Sequence, residues 1–168
     1  LLTSCGSDTK TAPSAENSTA ESTPPNADKG AIEKFNIDTE RSVIVWKGSI
    51  LKVKDHTGTL KFKSGGVKIQ GSKVLAGGLV VDMSTMTATD ANYDAKSTKE
   101  GLIGHLQSDA FFYTEKFGEA KLSFKDPGTV ALSIRDKTHK ESYTDVTVSE
   151  EKGKKVVKAK MIFDRQKY

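Results

Sequence analysis

The stretch Gly104-His105-Leu106-Gln107-Ser108-Asp109-Ala110-Phe111-Phe112, continued by Lys121-Leu122-Ser123-Phe124, decides the fold. Leu102, Ile103, Leu106 and Ala110 recur at helical spacing. Ser97, with Glu100 three residues on, has the form of a capping box at the helix start. The predicted helix runs into two adjacent aromatics and then Phe117-Gly118-Glu119-Ala120. A strand follows, in which Leu122 and Phe124 alternate with Lys121, Ser123 and Lys125. One short helix therefore interrupts a chain that otherwise reads as strands and turns.

Upstream, Phe35-Asn36-Ile37-Asp38 opens the folded part. Ile44, Trp46, Gly48 and Ile50 then share one face of a strand, with Val43, Val45, Lys47 and Ser49 on the other. His56-Thr57-Gly58 and Ser64-Gly65-Gly66 read as turns, and Leu60 and Phe62 point inward between them. Leu75, Gly77, Leu79, Val81 and Met83 share a face, and Gly77-Gly78 suggests a bulge or sharp bend. Residues 86–96 read as loop. Downstream, Asp126-Pro127-Gly128 is a turn in which proline presets φ and glycine permits a positive φ. Val130, Leu132 and Ile134 alternate after it, and Glu150-Glu151-Lys152-Gly153-Lys154 turns between the last two strands. Strands are thus predicted at 42–53, 59–70, 74–83, 120–125, 129–136, 142–149 and 155–164. Short strands with regular turn signals indicate an antiparallel barrel or sandwich.

The helix ending at Leu106, the run Ser108-Asp109-Ala110-Phe111-Phe112, the turn Phe117-Gly118 and the pattern Ala120-x-Leu122-x-Phe124 together resemble the central motif of the YceI-like family. These are lipocalin-like barrels that bind polyisoprenoid or other long apolar lipids. Gly118 stands where the family more often has proline. The likeness extends to Ile37-Asp38 followed by Ser42 and the aromatic Trp46, to Asp82-Met83-Ser84, and to Leu132-Ser133-Ile134 before Lys137-Thr138-His139. It implies an all-β, antiparallel lipocalin-like barrel over residues 33–168, with one short helix inserted between strands. The family pattern continues beyond an element such as Arg165-Gln166-Lys167-Tyr168, so the domain is expected to be truncated at its C-terminal side.

The first thirty residues hold three of the four prolines and no aromatic residue. Too little apolar surface is available there to offset ordering entropy, which predicts a disordered tether. Cys5, the single cysteine, follows Leu2-Thr3-Ser4. This resembles a bacterial lipoprotein signal, with residues 1–4 a signal remnant and residues 5–32 the lipidated cysteine and its tether. The implied location is the bacterial cell envelope, anchored by lipid at a periplasmic membrane face or the outer membrane. No other stretch approaches the roughly 18 apolar residues of a membrane span.

The net charge is +4 for the whole chain and −2 for residues 1–30, leaving +6 on the folded part from 24 basic and 18 acidic residues. The lysines mostly alternate with apolar residues, as in Lys61-Phe62-Lys63, which is the pattern of a wet sheet face rather than a nucleic-acid site. His56, His105 and His139 have no metal-like spacing. There is no Gly-x-Ser-x-Gly and no P-loop. With Cys5 outside the fold no cysteine nucleophile is at hand, and an enzyme is not expected.

What remains is apolar volume. The expected inner face is Ile44, Trp46, Leu60, Phe62, Leu79, Val81, Leu122, Phe124, Leu132, Ile134, Met161 and Phe163, with Phe111 and Phe112 beside the helix. Gly48, Gly77 and Gly78 on or beside it are expected to leave space. Small barrels either fill their interior or hold one ligand, and pattern alone does not separate the two. The resemblance favours a long-chain lipid, isoprenoid or quinone-like, and no other cofactor. The alternative is a non-catalytic, stress-related envelope protein with a packed interior acting through protein partners. A homodimer stays open under either reading.

If Cys5 carries the anchor, Cys5→Ser releases the protein from the membrane into the soluble envelope fraction, because stable anchoring takes two or more acyl chains. Fractionation of cells expressing each form checks this, and unchanged membrane association counts against it.

Overall fold

Alternating apolar and polar residues, broken by glycine-bearing bends, give strands that pair almost entirely with their sequence neighbours. The computed structural model describes residues 30–50 and 54–168, so Cys5, the tether and residues 51–53 lie outside it. The strands are β1 (Glu33–Asn36), β2 (Val43–Ile50), β3 (Lys54–Gln70), β4 (Lys73–Ala88), β5 (Glu119–Asp126), β6 (Thr129–Ile134), β7 (Lys137–Glu151) and β8 (Lys154–Met161). The helix α1 (Lys99–Gln107) is inserted between β4 and β5, and a 3-10 turn covers Arg165–Lys167. All pairings are antiparallel, in the order β1-β3-β4-β5-β6-β7-β8, and β2 pairs with β3 alongside β1. The sheet curls into a half-barrel. Between its ends, Lys154 Nζ at the start of β8 lies 2.9 Å from Asp38 Oδ2 in the β1–β2 connection.

The curl depends on two long strands bending together. Gly65 and Gly77 have φ of 141° and 149°, a region that L side chains rarely adopt. A Cβ on Gly65 would stand 2.4 Å from the Gly78 carbonyl oxygen, and one on Gly77 would stand 2.4 Å from that of Gly66. The two backbones therefore cross too closely for any side chain. The space expected at Gly77 is not there: its hydrogen makes room for a neighbouring strand, not for a ligand. Beyond the bend β1 takes positions 66–69 of β3, and before it β2 takes 54–61.

Several predicted boundaries move. His56-Thr57-Gly58 and Ser64-Gly65-Gly66 are not turns, because β3 runs through both, paired with β2, β1 and β4. The first is stabilised by cross-strand partners on both sides, and the second stays paired with β4 just past a bulge at Lys63. Met86 and Ala88, predicted as loop, are buried in β4, which continues past an irregularity where the Lys61 amide donates to Thr85 Oγ1. At the far end Val74 is buried instead of Leu75, since a register shift at Lys68/Ile69 changes which residues face in. The helix cap is Thr98, whose Oγ1 accepts from the Gly101 amide. Ser97 instead bridges to Asp94, and Ala110 lies exposed beyond the helix end.

A polar latch fixes the segment that leads into α1. The Asp90 carboxylate accepts from the Thr57 amide at 2.9 Å, the Asn92 amide at 3.0 Å and the Tyr93 hydroxyl at 3.0 Å. His56 Nδ1 lies 3.2 Å from it, and the His56 and Tyr93 rings stack at 5.1 Å. Desolvation acts to raise the Asp90 pKa, but the hydrogen bonds from Thr57, Asn92, Tyr93 and His56 outweigh it and hold the group well below the usual carboxylate range.

Gly65→Ala and Gly77→Ala are each expected to lower stability by about 2 kcal/mol or more in urea melts, from the positive φ and the backbone clash together. Asp90 has a folded pKa below its unfolded one. Its contribution is therefore complete above the unfolded value of about 4 and is lost as pH falls towards the folded value. Asp90→Asn should be less stable than wild type at neutral pH, and its stability should fall less steeply on acidification below about pH 4. Melts across that range measure both.

Candidate functional site: the concave face of the sheet

Cross-strand register decides what lines the inside of the curl, because directly paired residues share a face. Ile44 pairs with Leu60, Trp46 with Gly58, Phe62 with Val81, Val81 with Ala120, and Leu122 with Leu132. Leu60, Val81, Met83, Met86, Ala120, Leu132, Ile134 and Tyr168 form the buried floor of one apolar cluster. Ile44, Trp46, Phe62, Leu122, Met161 and Phe163 pack against it half-buried, as do Ile103 and Leu106 of α1 and Phe112. All three methionines of the chain belong to this cluster. Methionine is unbranched and adapts to irregular neighbours, as surfaces that must accommodate a partner require.

Eleven of the residues expected inside meet there: Ile44, Trp46, Leu60, Phe62, Val81, Phe112, Leu122, Leu132, Ile134, Met161 and Phe163. Three are not part of that cluster. Leu79 pairs with Leu122 on the same face and packs beside Gly65. Phe124 packs edge-on against Tyr143 at 5.7 Å, near buried Val74, whose carbonyl oxygen lies 3.5 Å from the Tyr143 hydroxyl. Phe111 sits on the rim, edge-on to His105 and Phe112, with the Arg165 guanidinium 4.0 Å from its ring centre. Arg135 donates to the carbonyl oxygens of Asp109 and Phe111 from the β6–β7 turn, where its own φ is 58°. Two arginines thus hold the aromatic corner in place, a role that no spacing in the sequence announces.

Sequence reasoning also missed the polar groups of this face. His139 pairs with Leu132 and stays exposed at the edge of this face, whereas Glu141 pairs with Val130 and is turned inward. Glu141 is only 7% exposed and accepts from the Tyr168 hydroxyl at 3.0 Å, with Lys167 Nζ 3.6 Å away. Burial and then this contact push the Tyr168 hydroxyl pKa well above its ordinary value. His139 Nε2 lies 3.0 Å from the Lys167 carbonyl oxygen, and its ring meets Tyr168 edge-on. A charged residue on alternate positions of β7 hid this from a hydropathy pattern. The Trp46 Nε1 is different: it is buried and has no hydrogen-bond partner. Such a donor costs about 1–3 kcal/mol when left unmade.

A groove of about 760 Å³ on the convex face, walled by Lys63, Asp82, Glu119, Lys121 and Arg135 among others, competes for attention. Its ion-pair cluster is centred on Glu119. Lys63 Nζ lies 2.8 Å and Lys121 Nζ 3.7 Å from the Glu119 carboxylate, and the Lys63 contact lowers the Glu119 pKa. An open groove walled by charged side chains offers an apolar molecule little, so the concave face is the better site. Among the described residues no group of His, Cys, Asp and Glu gathers as metal ligands would, and no helix is long and apolar enough to cross a membrane.

No curated protein matches the chain. Residues 35–168, from the second half of β1 through the 3-10 turn, match the model of the YceI-like domain. The curled antiparallel sheet, the single helix and the apolar concave face agree with that match, and the chain belongs to the YceI-like family of lipid-binding barrels.

Proposed function

We propose that this domain binds one long apolar chain, isoprenoid or quinone-like, against its concave face, and that Cys5 anchors it by lipid in a bacterial cell envelope. The observation that carries the reading is the ring of half-buried apolar side chains around the buried floor, Ile44, Trp46, Phe62, Leu122, Met161 and Phe163. Each still has surface to cover. Moving a chain from water onto such a surface gains about 0.8 kcal/mol per CH₂, or roughly 8 kcal/mol for ten, before the cost of ordering it.

The action is sequestration, not catalysis. The His56–Asp90 pair, the nearest thing to an acid–base couple, is committed to holding the Tyr93 segment. Glu141 is likewise committed to Tyr168. The hydroxyls that meet these carboxylates belong to Tyr93 and Tyr168 and are spent in holding the connection into the helix and the chain's last turn.

Solvent extraction of the purified protein followed by mass spectrometry is expected to yield a long-chain lipid. Leu122→Trp, on the half-buried wall, should cut uptake of added lipid at least about ten-fold while costing no more than the roughly 1–3 kcal/mol of an overpacked site. A wild-type protein that neither carries nor takes up an apolar chain would overturn the reading.

A further inference from the structure

The Trp46 indole lies against Gly58, its cross-strand partner. A Cβ on Gly58 would stand 2.4 Å from Cζ2 and 2.5 Å from Cε2 of that ring. The ring thus covers the glycine, and a phenylalanine ring would supply apolar cover there without bringing an N–H inside. The indole brings one, and Nε1 is buried among the residues of the concave face without an acceptor. Buried side-chain donors nearly always have a partner, so an orphan inside a binding surface is explained most directly by a partner that arrives with the ligand.

The chemistry of that partner follows from the surroundings. Trp46 packs against a cluster of apolar side chains, where burying an anionic head such as a phosphate costs far more than burying a neutral acceptor. A neutral oxygen acceptor faces no such penalty. Access to Nε1 requires neighbours to move, and the cluster holds Met83 and Met86, whose flexible side chains shift more readily than branched ones. Resting on the lipid-binding reading above, we propose that Trp46 is a specificity-determining residue: its Nε1–H donates to a neutral carbonyl on the bound chain, so the domain prefers carbonyl-bearing apolar molecules to plain hydrocarbons.

The test compares radiolabelled 2-heptadecanone with heptadecane, each delivered from cyclodextrin and measured by co-elution with the protein. Wild type is expected to bind the ketone about ten-fold more tightly, the effect of one hydrogen bond made to an otherwise orphaned donor. Trp46→Phe should bring the ketone-to-alkane affinity ratio down to about one, whatever the loss of the larger ring does to both affinities together. Trp46 is the only tryptophan, so its emission should move to the red with the ketone and not with the alkane. That signature stands on wild type alone if the variant fails to fold. Equal affinities without an emission shift would overturn the proposal and leave lipid binding intact. Binding of neither compound would overturn the lipid-binding reading itself.

Discussion

Everything inside this molecule depends on the close approach of two backbones where Gly65-Gly66 passes Gly77-Gly78. Strands as long as β3 and β4 would, if merely twisted, present one broad sheet. A bulge at Lys63, just before this crossing, increases local twist, and the crossing lets both strands turn there. That turn divides β3 into a half that pairs with β2 and a half that pairs with β1. The two faces of the sheet then stop being equivalent. One closes around apolar side chains, and the other keeps exposed Lys61, Lys63, Lys121 and Lys125 in water.

The concave face is built with two kinds of support. Register supplies the apolar residues, since each inward position recruits its cross-strand partner. Connections supply the cover. The Asp90 latch sets the segment that leads to α1, Arg135 and Arg165 fix the aromatic corner, and Tyr168 lies 5% exposed over His139 and Glu141. The cover is therefore held by polar contacts at its margins and by apolar contact at its centre. This combination suits a surface that must be shaped before a ligand arrives yet leave the middle free of directional bonds.

The alternation of Ile44 with Trp46, Leu60 with Phe62, and Leu132 with Ile134 was legible because period-two patterns need no knowledge of partners. The helix was legible from its spacing, although its cap was not: Ser97 and Thr98 are chemically alike, and only the backbone path decides which hydroxyl meets the Gly101 amide. Glycines misled in both directions. Gly65-Gly66 looked like a turn and is a bend within a strand, because a positive φ serves either purpose. Gly77 looked like spare volume and is a steric necessity. Inward Glu141 was illegible, since its solvation is replaced by Tyr168 from a different part of the chain. So was the solitary Trp46 N–H, which only three-dimensional packing can leave without a partner.

The gathering of every methionine of the chain on the concave face has a chemical consequence. Oxidation of a thioether to a sulfoxide turns a flexible apolar side chain into a polar one. Met161, half-buried, meets an oxidant before Met83 and Met86, which are 4% and 5% exposed. Damage therefore begins at the wall of the face and spares its floor, and a molecule covering that wall shields the sulfur. The same residues that let the surface adapt make its occupancy a matter of redox protection.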